Sequence, residues 1–206
     1  METTTHDKLK KIKQSFRLYM NGEASHSMRQ KGVNYKINWG IELPRLRQMA
    51  AEYGADAPLA EALWQSEVRE CKLLATLIMP PDAISLATAE AWVATCGTQE
   101  VAEMLAFNLL QKTSFAPQLT LSLLQSSDSR SLHCAFNLAG RLAPKGAFAD
   151  SASINTLAQK AAETLLGTDA ALRHAALNAL VRCADASEEA EKTIAEVLKN
   201  HNLDIF

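Results

Sequence analysis

The sequence predicts an all-α fold, a right-handed α-solenoid in which about ten helices stack in pairs, with residues 1–206 forming a single domain. Three observations carry this. Ala occurs 34 times and Leu 28 times, against 8 Gly and 6% aromatics, so strong helix formers dominate. Apolar residues recur at three- and four-residue steps between recognisable caps and breakers. A block of sequence also echoes itself 41 residues later. The same composition excludes a β-sandwich or barrel, which needs β-branched and aromatic residues with frequent Gly turns. A hydrophobic content of 48% excludes a disordered chain.

The first helix is expected over residues 6–20, where Leu9, Ile12, Phe16 and Met20 form an apolar stripe. A turn and a short helix follow over 21–30, then a loop from Gly32 to Gly40. Pro44 suits the first position of the third helix, since its missing N–H costs nothing there. Gly54 ends that helix after Tyr53. Asp56 caps the next, with Pro58 just inside and Leu59, Leu63 and Trp64 turned to the core. A helix over about 67–79 is stopped by Pro80-Pro81. Residues 82–96 run to Gly97, and Thr98 caps a helix to about Ser114. Helices over 116–125 and 130–143 follow, then one capped by Asp150 reaching Gly167, and one capped by Asp169 reaching about Asp185. Asp185 with Glu188 reads as a capping box for the last helix, about 187–200.

Ala106-Phe107-Asn108-Leu109 returns as Ala135-Phe136-Asn137-Leu138. Across the longer echo, His133, Ala135, Asn137, Arg141 and Ala143 match His174, Ala176, Asn178, Arg182 and Ala184. An offset of 41 residues lies in the range of two-helix HEAT-type repeats, whose pairs bury their apolar faces only by stacking. Asn is a poor mid-helix residue, so its return at 108, 137 and 178 reads either as an inter-repeat hydrogen-bond ladder or as a polar row for a ligand.

The net charge is −2, which excludes a uniformly basic chain but not a basic patch. Residues 1–50, the basic N-terminal helices, carry ten Lys/Arg against four Asp/Glu. Residues 51–206, the helix-pair array, carry eleven against nineteen. The cationic side chains of the first part are a solubilising surface or a phosphate track formed by Lys8, Lys10, Lys11, Lys13, Arg17, Arg29, Lys31, Arg45 and Arg47. Cys71, Cys96, Cys134 and Cys183 show no metal-ligand spacing and read as small buried hydrophobes in a reducing, cytoplasmic setting. No metal or cofactor is expected, and no P-loop, dinucleotide fingerprint or Ser/His/Asp set is present. The N-terminus lacks the apolar run of a signal peptide, and no apolar stretch reaches the ~18 residues of a membrane span. A monomer is expected.

Two stretches carry a resemblance. Tyr35-Lys36-Ile37-Asn38-Trp39-Gly40-Ile41-Glu42-Leu43-Pro44-Arg45-Leu46-Arg47 resembles the segment near the start of the HEAT-like alkylpurine DNA glycosylases of the AlkD-like DNA alkylation repair family. Leu63-Trp64, Arg69-Glu70 and Leu74-Ala75 resemble that family's second hallmark, in the expected order. With the repeat, the resemblance covers most of residues 30–185. It implies a solenoid that binds duplex DNA and excises cationic alkylated purines such as 7-methylguanine and 3-methyladenine. A carboxylate would stabilise the oxocarbenium-like charge, with aromatics packed nearby and an Arg holding the backbone.

Registered on Asn108-Leu109, the family's Trp-x-x-x-Asp falls on Gln99 and Glu103, which makes Glu103 the candidate catalytic anion. A second register falls on Trp92 and Cys96. The family Arg corresponds to His133, and a later Trp to Asn178. Candidate DNA-binding residues are therefore Lys8, Lys11, Arg29, Lys31, Arg45, Arg47, Gln99, His133, Arg173, His174 and Asn178. Trp39, Trp64 and Trp92 are packing anchors or base-stacking residues. Arg69 with Glu70 reads as an ion pair bridging helices. Because the aromatic and Arg positions are replaced, the alternative function is a non-catalytic scaffold that binds a protein partner on the same solenoid.

Overall fold

The computed structural model describes residues 4–203. Among these residues the chain forms twelve α-helices, where about ten are expected, with two 3₁₀ turns and one isolated bridge between Ile37 and Val68. The helices gather into two compact units, residues 1–109 and 110–206.

The first unit contains α1 (Thr5–Tyr19), α2 (Gly22–Gln30), α3 (Leu43–Tyr53), α4 (Ala57–Trp64), α5 (Arg69–Ile78), α6 (Leu86–Ala94) and α7 (Gln99–Asn108). Thr4 caps α1 by accepting the Asp7 N–H, and Ile12 and Phe16 are fully buried. Met20 does not continue their stripe; it lies beyond the last turn and is 63% exposed. Pro44 and Pro58 open α3 and α4 as expected, and the Asp56 carboxylate accepts the Leu59 N–H at 3.0 Å. Helix α5 is the hub of the unit, packing against α3, α4 and α7. Its residues are buried almost end to end, including Arg69 and Glu70. Helix α6 starts only after Ser85, because Pro80-Pro81 and a turn occupy the preceding residues. Helix α7 ends at Asn108 rather than near Ser114, and a 3₁₀ turn over Leu110–Lys112 follows.

The second unit contains α8 (Ala116–Leu124), α9 (Ser129–Leu142), α10 (Ser151–Leu165), α11 (Ala170–Ala184) and α12 (Glu188–Asn200). α8 packs on α9 and α10 on α11, while α9 also packs on α11 and α10 on α12. This is the arrangement of stacked helix pairs. Gly140 sets the approach of α9 to α11: a Cβ there would stand 3.3 Å from the Ala179 Cα and 3.1 Å from the Arg182 Cδ. Asp128, Asp150 and Asp169 cap α9, α10 and α11. The cap of α12 is Ser187, not Asp185, which instead ends α11. Ser187 accepts the Ala190 N–H at 3.1 Å, leaving Glu188 inside the helix.

The repeated asparagines form no ladder. Asn108 donates to the Thr76 hydroxyl on α5 at 2.8 Å, Asn137 to the His133 carbonyl on its own helix, and Asn178 meets the His174 ring on its own helix. All four cysteines are buried. No helix among the described residues is long and apolar enough to cross a membrane.

Candidate functional site

In the first unit, the Gly32–Gly40 loop is fastened from below by α5. Glu70 accepts the Trp39 N–H and the Ile41 N–H, both at 3.2 Å. Arg69 donates to the Ile41 carbonyl at 2.9 Å and to Glu70 at 3.2 Å. The same guanidinium reaches α7, where Nε and Nη2 grip the Glu100 carboxylate at 2.8 and 2.5 Å. The Tyr35 hydroxyl donates to the other side of this network at Glu100, and Thr98 donates to the Tyr35 oxygen at 2.8 Å. Burial pushes the Glu100 carboxyl up, but the Arg69 bonds and charge outweigh it and hold the group below its ordinary value. Burial and the adjacent Glu100 carboxylate push the Tyr35 phenol up. Glu100, Tyr35 and Thr98 have no local sequence signal as partners of Arg69, because 31 to 65 residues separate the members of these contacts.

Two members of this network, Thr98 and Glu100, line a cleft of about 520 Å³. Three residues expected from the sequence, Lys31, Gln99 and Glu103, line it together with Glu100 and Asn34. Gln99 donates to Glu103 at 3.1 Å, and Glu103 is half-buried on α7. No aromatic side chain is among the residues that line the cleft.

The other expected residues are dispersed. Lys8 is tied to Asp56 at 2.6 Å, where it joins α1 to α4. Arg45 lies over the Tyr19 ring at 3.8 Å and donates to Gln48. Lys11, Arg29 and Arg47 are exposed. His133 is 4% exposed within α9, so its ring is part of the packing rather than a surface group. Trp64 and Trp92 stack on each other with centroids 4.2 Å apart and planes within 1°, which makes them packing anchors. Trp39 is half-buried beside the exposed Ile37.

The second unit segregates its charge by helix. α9 and α11 contain Arg130, Arg141, Arg173, Arg182, His133 and His174, with no Asp or Glu. α12 contains four Glu. On α11, His174, Asn178 and Arg182 fall at helical spacing on one exposed face, while the exposed Arg173 points to another side of the helix, about 100° round from His174. On α9, Arg130, Asn137 and Arg141 form a matching stripe. Arg130 pairs with the cap residue Asp128 at 3.0 Å. Of these, Arg173, His174 and Asn178 are expected from the sequence, and Arg141 and Arg182 appear there only as repeat matches.

The sequence model of a family described as "DNA alkylation repair enzyme" matches residues 12–201. One solved structure shares the fold with a TM-score of 0.80 at 16% identity, over 94% of this chain and 83% of that one. It is described as belonging to a new family of proteins related to the HEAT-like repeat DNA glycosylases with affinity for branched DNA structures. No curated protein matches the chain.

Proposed function

The chain belongs to the DNA alkylation repair enzyme family, and on that premise we propose that it binds DNA through the α9–α11 layer of its second unit. The observation that carries this is the charge segregation: two adjoining helices hold four Arg and the exposed His174 without a carboxylate between their Asp caps. Phosphate contacts dominate DNA affinity, and a helix face that carries Arg and no Asp or Glu between its capping residues suits them. The affinity of the structural neighbour for branched DNA makes a four-way junction the form to compare with plain duplex.

Base excision of a cationic alkylpurine is the finer reading, and it rests on Glu103. A carboxylate lining the 520 Å³ cleft has the charge the chemistry needs. The cleft supplies no aromatic wall to hold an extruded base, so DNA binding is the function the geometry supports best.

The test is fluorescence anisotropy with labelled duplex and junction DNA across a salt series. Binding should weaken steeply with salt, and Arg173→Glu with Arg182→Glu should reduce the slope of log K against log salt by about 2. Flat anisotropy at low salt overturns the proposal and leaves the protein-binding scaffold. Release of 7-methylguanine from methylated DNA, abolished by Glu103→Gln, would extend binding to excision.

A further inference from the structure

A second groove, on the first unit, has a different character. It encloses about 740 Å³ between α1 and the loop segment that carries Ile37 and Trp39. One wall is cationic. Lys10, Lys13 and Arg17 project from successive turns of α1, are exposed, and make no ion pair among the described residues. The opposite wall is apolar, formed by Ile37 at 44% exposure and the half-buried Trp39. The acidic residue at its edge, Glu67, is already paired with Lys36.

We propose that this groove binds a single strand of nucleic acid, with its phosphates along α1 and an unpaired base against Trp39. This goes beyond the duplex-binding reading and uses no residue of α9 or α11. Seven residues of helix separate Lys10 from Arg17, a rise of about 10 Å, which spans two to three phosphates of an extended strand. The asymmetry of the walls selects the ligand. A duplex presents phosphates but keeps its base faces stacked inside, so it has nothing to offer Ile37 and Trp39. A single strand has charge on one edge and a free π-face on the other, the combination that strand-binding grooves use. An acidic peptide supplies the charge alone.

The platform is held in place before any ligand arrives. The Trp39 N–H is donated to Glu70 at 3.2 Å, and its carbonyl accepts the Asn21 N–H at 2.8 Å. The bridge between Ile37 and Val68, with the Arg69 N–H donated to the Ile37 carbonyl at 3.0 Å, fixes the other end. Little ordering of the wall is left for binding to oppose.

The protein itself provides the readout. Trp64 and Trp92 are 2% and 3% exposed, so quenching of tryptophan emission on binding reports Trp39. An oligothymidylate of about ten nucleotides is titrated into the full chain, by emission and by anisotropy. The expected result is saturable quenching whose log K falls with log salt at a slope of about −2, as three contacts to a single strand give. Lys10→Glu with Lys13→Glu should weaken binding roughly tenfold or more. Trp39→Ala, followed by anisotropy, should weaken it at least about fivefold. Arg173→Glu with Arg182→Glu should leave it unchanged, which separates this site from the duplex surface. The proposal is overturned by absent quenching at low salt, by unchanged affinity in the α1 and Trp39 variants, or by equal binding of a polyglutamate of the same charge.

Discussion

Arg69 on α5 holds Glu100 on α7 in a two-pronged grip, with Nε to Oε2 at 2.8 Å and Nη2 to Oε1 at 2.5 Å. The guanidinium is 4% exposed and the carboxylate 29%. A planar fork of donors matches a carboxylate in this way, and a Lys ammonium does not. The third nitrogen, Nη1, is shared between the Ile41 carbonyl and Glu70. Arg69 thus ties a loop and two helices through one side chain. Arg69→Ala would leave Glu70 buried at 0% exposure without its cation. Breaking a buried pair from one side costs about 3–5 kcal/mol. Denaturant unfolding should show a loss of that size, with Arg69→Lys recovering only part of it.

The same contact sets a pH dependence. Glu100 is held below its ordinary value of 4.5 when folded, because the Arg69 bonds outweigh burial. A depressed carboxylate adds stability that is fully present above its unfolded value. That stability drains away as pH falls from there through the folded value. Asp128 and Asp150 also lie below their ordinary values and add in the same direction. Stability measured from pH 7 downward should therefore be flat to about pH 5 and then fall. Glu100→Gln should begin less stable and show a shallower acid limb, and an unchanged limb would refute the assignment.

Gly40 closes the loop against α2. Its φ is +71°, and a Cβ there would stand 2.1 Å from the Asn21 carbonyl oxygen and 2.9 Å from the Ser25 nitrogen. Both obstacles are backbone atoms at the start of α2, so neither can swing aside. A left-handed backbone costs a non-glycine residue about 1–2 kcal/mol even in open space. Gly40→Ala should exceed that and destabilise by about 2–4 kcal/mol. Gly97→Ala, with a φ of +82° and open space around it, should cost only the backbone part. The difference in thermal midpoint between the two variants measures the clash.

These residues also mark how far the sequence was legible. Helix positions were readable because caps and breakers act locally: Pro44, Asp56, Asp150 and Asp169 lie where their chemistry places them. The Arg69–Glu70 ion pair was readable because both residues sit in one short motif, although it lies within α5 and does not itself join two helices as expected. The main partner of Arg69 was not readable, since Glu100 is brought in only when α7 packs on α5. The echo between His133 and His174 reports position in a repeat, not burial, and the first ring is enclosed while the second is exposed. Gln99 and Glu103, singled out by the register on Asn108-Leu109, lie on α7 four residues apart and line one cleft with Lys31. The network of Tyr35, Arg69 and Glu100 beside it is tertiary and left no local trace.

Trp64 and Trp92 make a prediction of a different kind. Their rings stack at 4.2 Å, the Trp64 indole donates to the Thr95 hydroxyl at 3.0 Å, and Lys72 lies over the Trp64 ring at 4.3 Å. The Lys72 ammonium also donates to the Trp64 and Thr95 carbonyls, so it closes the end of α4 and of α6 together. Trp92→Ala removes one ring and leaves the other facing a void, at a cost of about 3–5 kcal/mol. Trp92→Phe keeps an aromatic face and should cost much less. Near-ultraviolet circular dichroism should lose the band of the coupled indoles in both variants, whereas far-ultraviolet spectra of the folded proteins should be unchanged.

Thiol reactivity tests the burial of both units in one experiment. Cys71 in α5 has its thiol pushed up to about 11 by burial, and Cys183 in α11 to about 12. The thiolate is the reactive species, so these two groups are protected twice, by exclusion of reagent and by suppressed ionisation. Cys96 and Cys134 are equally enclosed at 1% and 0% exposure. Native protein at pH 8 should therefore take up iodoacetamide only at the rate at which its units open, and denatured protein should be alkylated at all four positions. Intermediate denaturant distinguishes the units. If they open separately, peptide mapping will show Cys71 and Cys96 modified at a different concentration from Cys134 and Cys183. If all four react together, the two units unfold as one cooperative body.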